Sequence, residues 1–112
     1  LFQEVIMNLL LNSFDAVNER GTIEINTIRK TDSIIIEISD DGEGIAAENI
    51  ERIFDPFFTT KDVGTGTGLG LSVCMNIIES YNGRISVESI PNFKTQFRLT
   101  LPIRNGNENT NN

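Results

Sequence analysis

Two pairs of strand-like segments are the feature that most restricts how this chain can fold. Each segment is short, rich in β-branched residues and bounded by turn-forming residues, a pattern that predicts a β-strand. The four segments are residues 22–28, 33–39, 84–89 and 95–102. The polar sequence Arg-Lys-Thr-Asp joins the first two segments and a short connection joins the last two, so we expect two β-hairpins.

Helical spacing of apolar residues accounts for most of the remaining sequence. It runs through residues 2–19 and 69–81, and a shorter helix is predicted over residues 46–54. The order along the chain is then helix, two strands, short helix, loop, helix and two strands. This order predicts an α/β fold, a two-layer α/β sandwich with a mixed, largely antiparallel sheet and the helices on one face.

The length and composition favour a single domain. With 112 residues, 38% of them hydrophobic, the chain has enough apolar material for one compact core, which we assign to residues 1–103. Residues 104–112 are polar and lack apolar anchors, so we expect a disordered tail there. The first residue, Leu1, already lies within a helical pattern, which indicates a fragment of a longer protein.

Charge and residue usage exclude several classes of function. A formal net charge of −7 disfavours nucleic acid or an anionic membrane as a partner. No apolar run approaches the roughly 20 residues that span a bilayer, and no signal peptide is recognisable, so we predict a cytosolic location. With one cysteine and no histidine in this sequence, internal disulfides and histidine-activated nucleophiles are excluded, and a zinc site is nearly excluded. Any chemistry must use carboxylates, amides, lysine and the backbone.

A narrow polar stripe follows the first predicted helix. Its members fall within an arc of about 80° at helical spacing. They are Glu4, Asn8, Asn12, Asp15 and Glu19. An asparagine amide offers a neutral oxygen that can ligate a hard cation close to phosphate groups. The stripe is therefore interpreted either as the wall of a polar cleft or as a solvated helix face.

The sequence Asp-Asp-Gly-Glu-Gly-Ile directly follows the second predicted strand. Asp40 stands at the strand end, where its carboxylate can accept a hydrogen bond from an exocyclic amine. Gly42 and Gly44 would let the backbone pass beside a flat ring without a Cβ clash. The alternative interpretation is an ordinary turn, because Asp-Gly sequences are common in turns.

Four glycines alternate through residues 64–70 and lead directly into the third predicted helix. This segment is neither a Walker A loop nor a dinucleotide-binding fingerprint. Backbone N–H groups and the positive end of the helix nevertheless form a site for an anion such as a triphosphate. Lys61 lies just upstream and can add a positive charge. The alternatives are a flexible linker for the glycines and an idle surface position for the lysine.

The order of these motifs resembles the catalytic ATP-binding domain of sensor histidine kinases. Asn-x-x-x-Asn-Ser corresponds to the N box, Asp-Asp-Gly-Glu-Gly-Ile to the G1 box, Phe-Asp-Pro-Phe-Phe-Thr-Thr-Lys to the F box and Gly-Thr-Gly-Leu-Gly-Leu to the G2 box. The resemblance extends from Leu1 to about Pro102. It implies the ATP-binding fold that these kinases share with type II topoisomerases, mismatch-repair ATPases and heat-shock chaperone ATPases.

The resemblance also implies a role for each matching residue. Asp40 would bind the adenine amino group, Asn12 would ligate Mg²⁺, and Asn8 would lie beside Asn12 at the phosphates. Asn8, Asn12 and Lys61 are then the expected catalytic residues, and residues 55–67 form a mobile lid over the nucleotide. The other positions expected to contact ATP are Gly42, Gly44, Ile45, Gly64, Gly66, Thr67, Gly68, Leu69, Gly70, Leu71 and Thr95.

The resemblance implies partners as well. Such kinases use ATP and Mg²⁺, pass the γ-phosphoryl group to a histidine on a dimerising helical hairpin of the same or the dimer-related chain, and then serve a response-regulator receiver domain. We expect this fragment to be monomeric by itself and the full-length protein to be a homodimer. If the sensor is membrane-bound, we expect the fragment to belong to its cytosolic part. Family members usually have a strand before the first helix, which is missing here, so an exposed sheet edge is expected.

The sequence is also compatible with two other functions. One is a stand-alone ATPase or an anti-sigma-type serine kinase with the same fold. Such an enzyme needs a general base, typically a glutamate on the first helix, whereas Asn8 occupies the inward position in this sequence. The other is a nucleotide-binding module without catalysis, which the presence of Asp40, Asn12 and the lid glycines disfavours.

Overall fold

The fold is that of a computed structural model, which describes residues 2–17, 20–55 and 70–103. Helices and strands follow one another along the chain in the order predicted from the sequence. The elements are α1 (Phe2–Val17), β1 (Ile23–Arg29), β2 (Ser33–Asp40), α2 (Ala47–Ile50), α3 (Leu71–Ser80), β3 (Arg84–Ile90) and β4 (Lys94–Pro102). The predicted lid comprises residues 55–67, of which residues 56–67 lie outside the described ranges, as does the predicted polar tail, residues 104–112.

The four described strands form one sheet in the order β1-β2-β4-β3. Both predicted hairpins are present, β1 with β2 and β3 with β4, and the central pairing of β2 with β4 joins them. Every described pairing is antiparallel, which confirms the largely antiparallel sheet expected from the sequence. The register sets Ile38 opposite Phe97 and Ile36 opposite Leu99.

The helices cover one face of this sheet. Along β4 the buried side chains alternate, since Thr95, Phe97 and Leu99 are buried while the residues between them are more exposed. This period of two is that of a strand with one face against a core. Helices α1 and α3 contact each other, and they contact β2 and β3 respectively. The core consists of Val5, Leu9, Ile38, Ile53, Cys74, Ile78, Ile85, Phe97 and Leu99.

The opposite sheet face is polar at its centre. Arg98 donates to Glu37 through Nε at 2.9 Å, and its Nη2 lies 2.7 Å from the same carboxylate oxygen. Because this pair is partly exposed, we expect it to add little stability. The two faces of β2 and β4 therefore differ in character, which confirms the predicted two-layer arrangement.

The second helix is shorter than predicted. Residues 46–54 were expected to be helical, but α2 comprises only Ala47–Ile50 and is followed by turns. Ala46 occupies the N-cap position and provides no side-chain hydrogen bond to the first turn. The N–H groups of Arg52 and Asp55 bond three residues back, to Asn49 and Arg52, which is the pattern of tight turns.

A matched pair of leucines on α1 tests the position of the core. Leu9 is fully buried, whereas Leu11 on the same helix is 39% exposed. Leu9→Ala is expected to lower the free energy of unfolding by about 2–5 kcal/mol, because it leaves a cavity. Leu11→Ala makes the same chemical change and is expected to lower it by less than about 1 kcal/mol. Denaturation with urea measures both, and equal effects would contradict the described orientation of α1.

Candidate functional site

Three polar side chains form a row across one end of the sheet face that carries the helices. Ser89 pairs with Thr95 between β3 and β4, and Thr95 pairs with Asp40 between β4 and β2. Asp40 is 4% exposed and Thr95 3% exposed. The next row along the same face contains Phe97 and Ile38, which are core residues. Because buried polar groups are unfavourable unless they find partners, this end of the sheet is a candidate binding site.

Asp40 and its neighbour Asp41 have different partners. One oxygen of Asp40, Oδ1, accepts a hydrogen bond of 2.9 Å from the N–H of Gly42. The exposed Asp41 accepts a hydrogen bond of 2.7 Å from the N–H of Thr22, which fixes the chain just before β1. A carboxylate has two oxygens and about four acceptor positions. Asp40 therefore retains the capacity to accept hydrogen bonds from a ligand.

The two glycines after Asp40 are required by contacts with the chain itself. A Cβ atom at Gly42 would lie 2.4 Å from the backbone oxygen of Ala16 on α1. Gly44 has φ +79, and a Cβ atom there would lie 2.8 Å from the Cα of Pro91 in the β3–β4 turn. The sequence pattern predicted that both glycines let the backbone pass beside a flat ligand ring. The described contacts provide an intramolecular reason, and contact with a base stays a prediction.

Ser89 connects this loop to the polar row. Its hydroxyl accepts a hydrogen bond of 2.8 Å from the N–H of Ile45 and lies 2.8 Å from the hydroxyl of Thr95. A second link joins the loop to the β3–β4 turn, because Asn92 N–H donates to the backbone oxygen of Glu43 at 2.8 Å. Sequence reasoning missed Ser89. The sequence signal that could have revealed it is a serine at an inward position of β3, where the other inward residues are apolar.

Asn8 lies at a different depth from the other described members of the polar stripe on α1. It is 2% exposed, and its Nδ2 donates to the sulfur of Cys74 on α3 at 3.0 Å. Burial raises the pKa of the Cys74 thiol, and the hydrogen bond from Asn8 opposes part of that rise. Asn12 is half-buried, while Glu4 and Asp15 are exposed. The described part of the stripe is therefore buried in its middle and exposed at both ends, which disfavours its interpretation as a uniformly solvated face. Glu19 lies outside the described residues.

The structure brings only part of the predicted site together. Asp40, Gly42, Gly44, Ile45 and Thr95 gather at one end of the sheet. Asn8 and Asn12 lie on α1, whose end contacts the loop because Ala16 accepts a hydrogen bond of 3.1 Å from Glu43 N–H. Gly70 is the N-cap of α3 and Leu71 its first residue. The remaining predicted residues lie outside the described ranges, namely Lys61, Gly64, Gly66, Thr67, Gly68 and Leu69.

A family comparison agrees with the architecture and with the order of the motifs. The profile of the family described as "Histidine kinase-, DNA gyrase B-, and HSP90-like ATPase" matches residues 1–105. The chain belongs to this family. Its relatives include the sensor histidine kinase ZraS of Salmonella typhimurium, which is 45% identical over 101 residues, 89% of this chain and 21% of ZraS. The histidine-protein kinase AtoS of Escherichia coli is 44% identical over 104 residues, 92% of this chain and 17% of AtoS.

Solved structures of the family have the same fold. The catalytic domain of histidine kinase ThkA, in a nucleotide-free form, superposes with a TM-score of 0.79 at 38% identity, over 89% of this chain and 64% of that domain. The resemblance to catalytic ATP-binding domains of sensor histidine kinases is thereby confirmed. The chain spans about a fifth of the length of the curated relatives named above. None of the described helices has the length and apolar character that would allow it to cross a membrane.

Replacing the first loop glycine tests the contact between the loop and α1. Gly42→Ala is expected to lower the free energy of unfolding by about 1–3 kcal/mol, because the added methyl group meets the backbone of Ala16. Gly70→Ala is the matched control. Among the described residues, a Cβ atom there meets nothing closer than the Ser72 hydroxyl at 3.8 Å, so a loss below about 1 kcal/mol is expected. Thermal denaturation compares the two, and an unchanged Gly42→Ala variant would contradict the described loop.

The burial of Cys74 predicts a protected thiol. As the sole cysteine of the chain, it should resist Ellman's reagent in the folded protein and react fully in denaturant. The raised pKa also has a consequence for stability, because the unfolded chain releases the thiol proton before the folded chain does. The free energy of unfolding is therefore expected to fall as the pH rises above about 8.5. Rapid labelling of the native protein would contradict this placement.

Proposed function

We propose that the chain binds Mg²⁺-ATP and donates the γ-phosphoryl group to a histidine on a separate dimerisation and phosphoacceptor domain. It would act as the catalytic part of a sensor histidine kinase in a two-component system. The observation that carries the proposal is the buried carboxylate of Asp40, set beside Thr95 in a polar row at the end of a sheet face whose next row is apolar. The family supports nucleotide use, and the geometry of Asp40 suits an adenine amino group.

Adenine recognition follows from the acceptor chemistry at this end of the sheet. The 6-amino group of adenine offers two N–H donors, and the Asp40 carboxylate has acceptor capacity beyond its bond to Gly42. Thr95 stands next to Asp40 across the β2–β4 pair. The loop through Gly44 and Ile45 would then lie along the base. Apolar walls with a few placed polar groups are typical of cofactor pockets.

Phosphate and metal binding are assigned to α1, α3 and the segment before α3. Mg²⁺ keeps several waters and takes few protein ligands when substrate phosphates supply the rest. A single amide oxygen from the half-buried Asn12 fits that requirement, with Asn8 beside it. The start of α3 at Gly70 and Leu71 lacks a side-chain cap, so its N–H groups suit an anion. Lys61 and the remaining lid glycines would complete the phosphate site.

Transfer to another protein fits this chain better than hydrolysis. The chain contains no histidine, so the phosphoacceptor must lie elsewhere, on a helical hairpin of the same or a dimer-related chain. The Asn8 side chain is an amide that donates a hydrogen bond to the Cys74 thiol, and an amide is not a base that would activate water. Phosphoryl transfer then depends on positioning and on charge neutralisation by Mg²⁺, which supplies that charge when it is bound. A response-regulator receiver domain would accept the phosphoryl group next, from a homodimeric protein acting in the cytosol.

Exchange of one carboxylate tests the adenine assignment. Asp40→Asn keeps an oxygen for the Gly42 N–H but replaces the second acceptor with a donor, which repels the adenine amino group. ATP and ADP are expected to bind at least about tenfold more weakly in calorimetric titration. Asp41→Asn is the matched control, since an asparagine oxygen there can still accept from Thr22. Unchanged affinity in Asp40→Asn would overturn the assignment.

A labelling experiment distinguishes the kinase from an ATPase. The longest protein that contains this sequence is incubated with Mg²⁺ and ATP carrying a radioactive γ-phosphate. We expect protein-bound phosphate that is labile in acid and stable in alkali, as for phosphohistidine. The 112-residue chain alone is expected to bind ATP without becoming labelled, because it has no histidine. Steady release of phosphate with no labelled protein would favour the ATPase instead.

A further inference from the structure

The Ser89 hydroxyl contacts three groups at the edge of the proposed base pocket. The N–H of Ile45 donates to it at 2.8 Å. The backbone oxygen of Lys94 lies 3.2 Å away and can only accept. The hydroxyl of Thr95 lies 2.8 Å away, and either hydroxyl can be the donor in that pair. One side chain of β3 thus joins the loop after β2 to a buried residue of β4.

The number of protons and lone pairs in this cluster favours one arrangement. A serine hydroxyl has one proton to donate and two lone pairs that accept. If Ser89 donates to Lys94, its two lone pairs can accept from Ile45 N–H and from the Thr95 hydroxyl, so every contact is a hydrogen bond. If Ser89 donated to Thr95 instead, its contact with Lys94 would be left without a proton. The first arrangement makes each of these contacts a hydrogen bond, so it is the more stable one.

This arrangement determines what Thr95 presents to a ligand. With its proton directed at Ser89, the oxygen of Thr95 offers only lone pairs to the pocket. The adjacent Asp40 is also an acceptor when ionised. Directly paired residues on neighbouring strands have Cβ atoms about 4.5–5.5 Å apart. Two neighbouring acceptors suit a group with two N–H bonds, such as the 6-amino group of adenine, and they repel the 6-oxo group of guanine.

We propose that Ser89 is a positioning residue that fixes Thr95 as a hydrogen-bond acceptor and thereby sets the selectivity of the site for adenine over guanine nucleotides. The inference rests on the proposed function, because it assumes that the base binds beside Asp40 and Thr95. Ser89 acts through Thr95 and through the Ile45 N–H. Its removal frees the Thr95 proton, which can then be donated to the 6-oxo group of guanine.

Nucleotide selectivity in the 112-residue chain provides the test. The dissociation constants for ATP and GTP are measured with excess Mg²⁺, by calorimetry for ATP and by displacement of ATP for GTP. Ser89→Ala is expected to lower the ratio of GTP to ATP dissociation constants by about five- to tenfold, the range of one neutral hydrogen bond. Ser86→Ala, on the exposed face of the same strand, is the matched control and is expected to keep the ratio of the unmodified chain.

A double-mutant comparison separates this role from a general loss of stability. In a Thr95→Val background the hydroxyl is absent, so Ser89→Ala is expected to leave the selectivity ratio unchanged. If Ser89→Ala does not fold, Ser89→Cys takes its place, because a thiol of similar size is a weak donor and acceptor. Melting temperatures are recorded for every variant. If Ser89 had a structural role alone, its replacement would weaken the binding of both nucleotides equally and leave the ratio of their dissociation constants unchanged.

Each outcome decides the matter. A smaller ratio in Ser89→Ala or Ser89→Cys, absent in the Thr95→Val background, supports the inference. A ratio equal to that of the unmodified chain overturns the inference but leaves ATP binding and the Asp40 assignment intact. A reduction of the same size with Thr95→Val present also overturns it, because Ser89 would then act by another route. Failure of the unmodified chain to bind ATP would overturn the proposed function, and the inference with it.

Discussion

A buried carboxylate at the end of an apolar sheet face is the constraint on which the rest of this structure depends. Asp40 is 4% exposed and belongs to a strand whose next inward residue, Ile38, is fully buried. A charge in that position is tolerable only when hydrogen bonds compensate for the lost water. One bond comes from Gly42 N–H, which requires the chain to turn immediately after β2. This turn directs the following loop against α1 and the β3–β4 connection.

That loop joins three parts of the fold at one place. Glu43 donates to the end of α1 and accepts from Asn92, while Ile45 donates to Ser89. Glycine at Gly42 permits the closest of these approaches. The loop is therefore held by backbone contacts on both sides, and it borders the carboxylate rather than covering the hydrophobic core. The backbone at this end of the sheet is therefore preorganised, since little ordering remains to be done there when a ligand binds.

Much of the fold and part of the candidate site could be predicted from local patterns. The period of two in the strands, the helical spacing of α1 and α3, and the order of the elements were sufficient for the two-layer architecture. Asp40, Gly42 and Gly44 were recognisable because an acidic residue and two glycines follow a buried strand. The length of α2 was wrong, because the apolar spacing of residues 46–54 gave no sign that tight turns replace the helix after Ile50. Ser89 was missed, because a serine near a strand end has many local explanations.

The sequence by itself determined which residues face the helices, since side-chain alternation along a strand and rotation along a helix are local properties of the backbone. It also determined the chemical types present, carboxylates and amides with no histidine. Only the tertiary structure decided that Asp40, Thr95 and Ser89 form one row, because the register of β2 against β4 pairs residues that are distant in the chain. It likewise directed Asn8 to Cys74, 66 residues away, because burial between packed helices leaves an amide to find its partners within the protein.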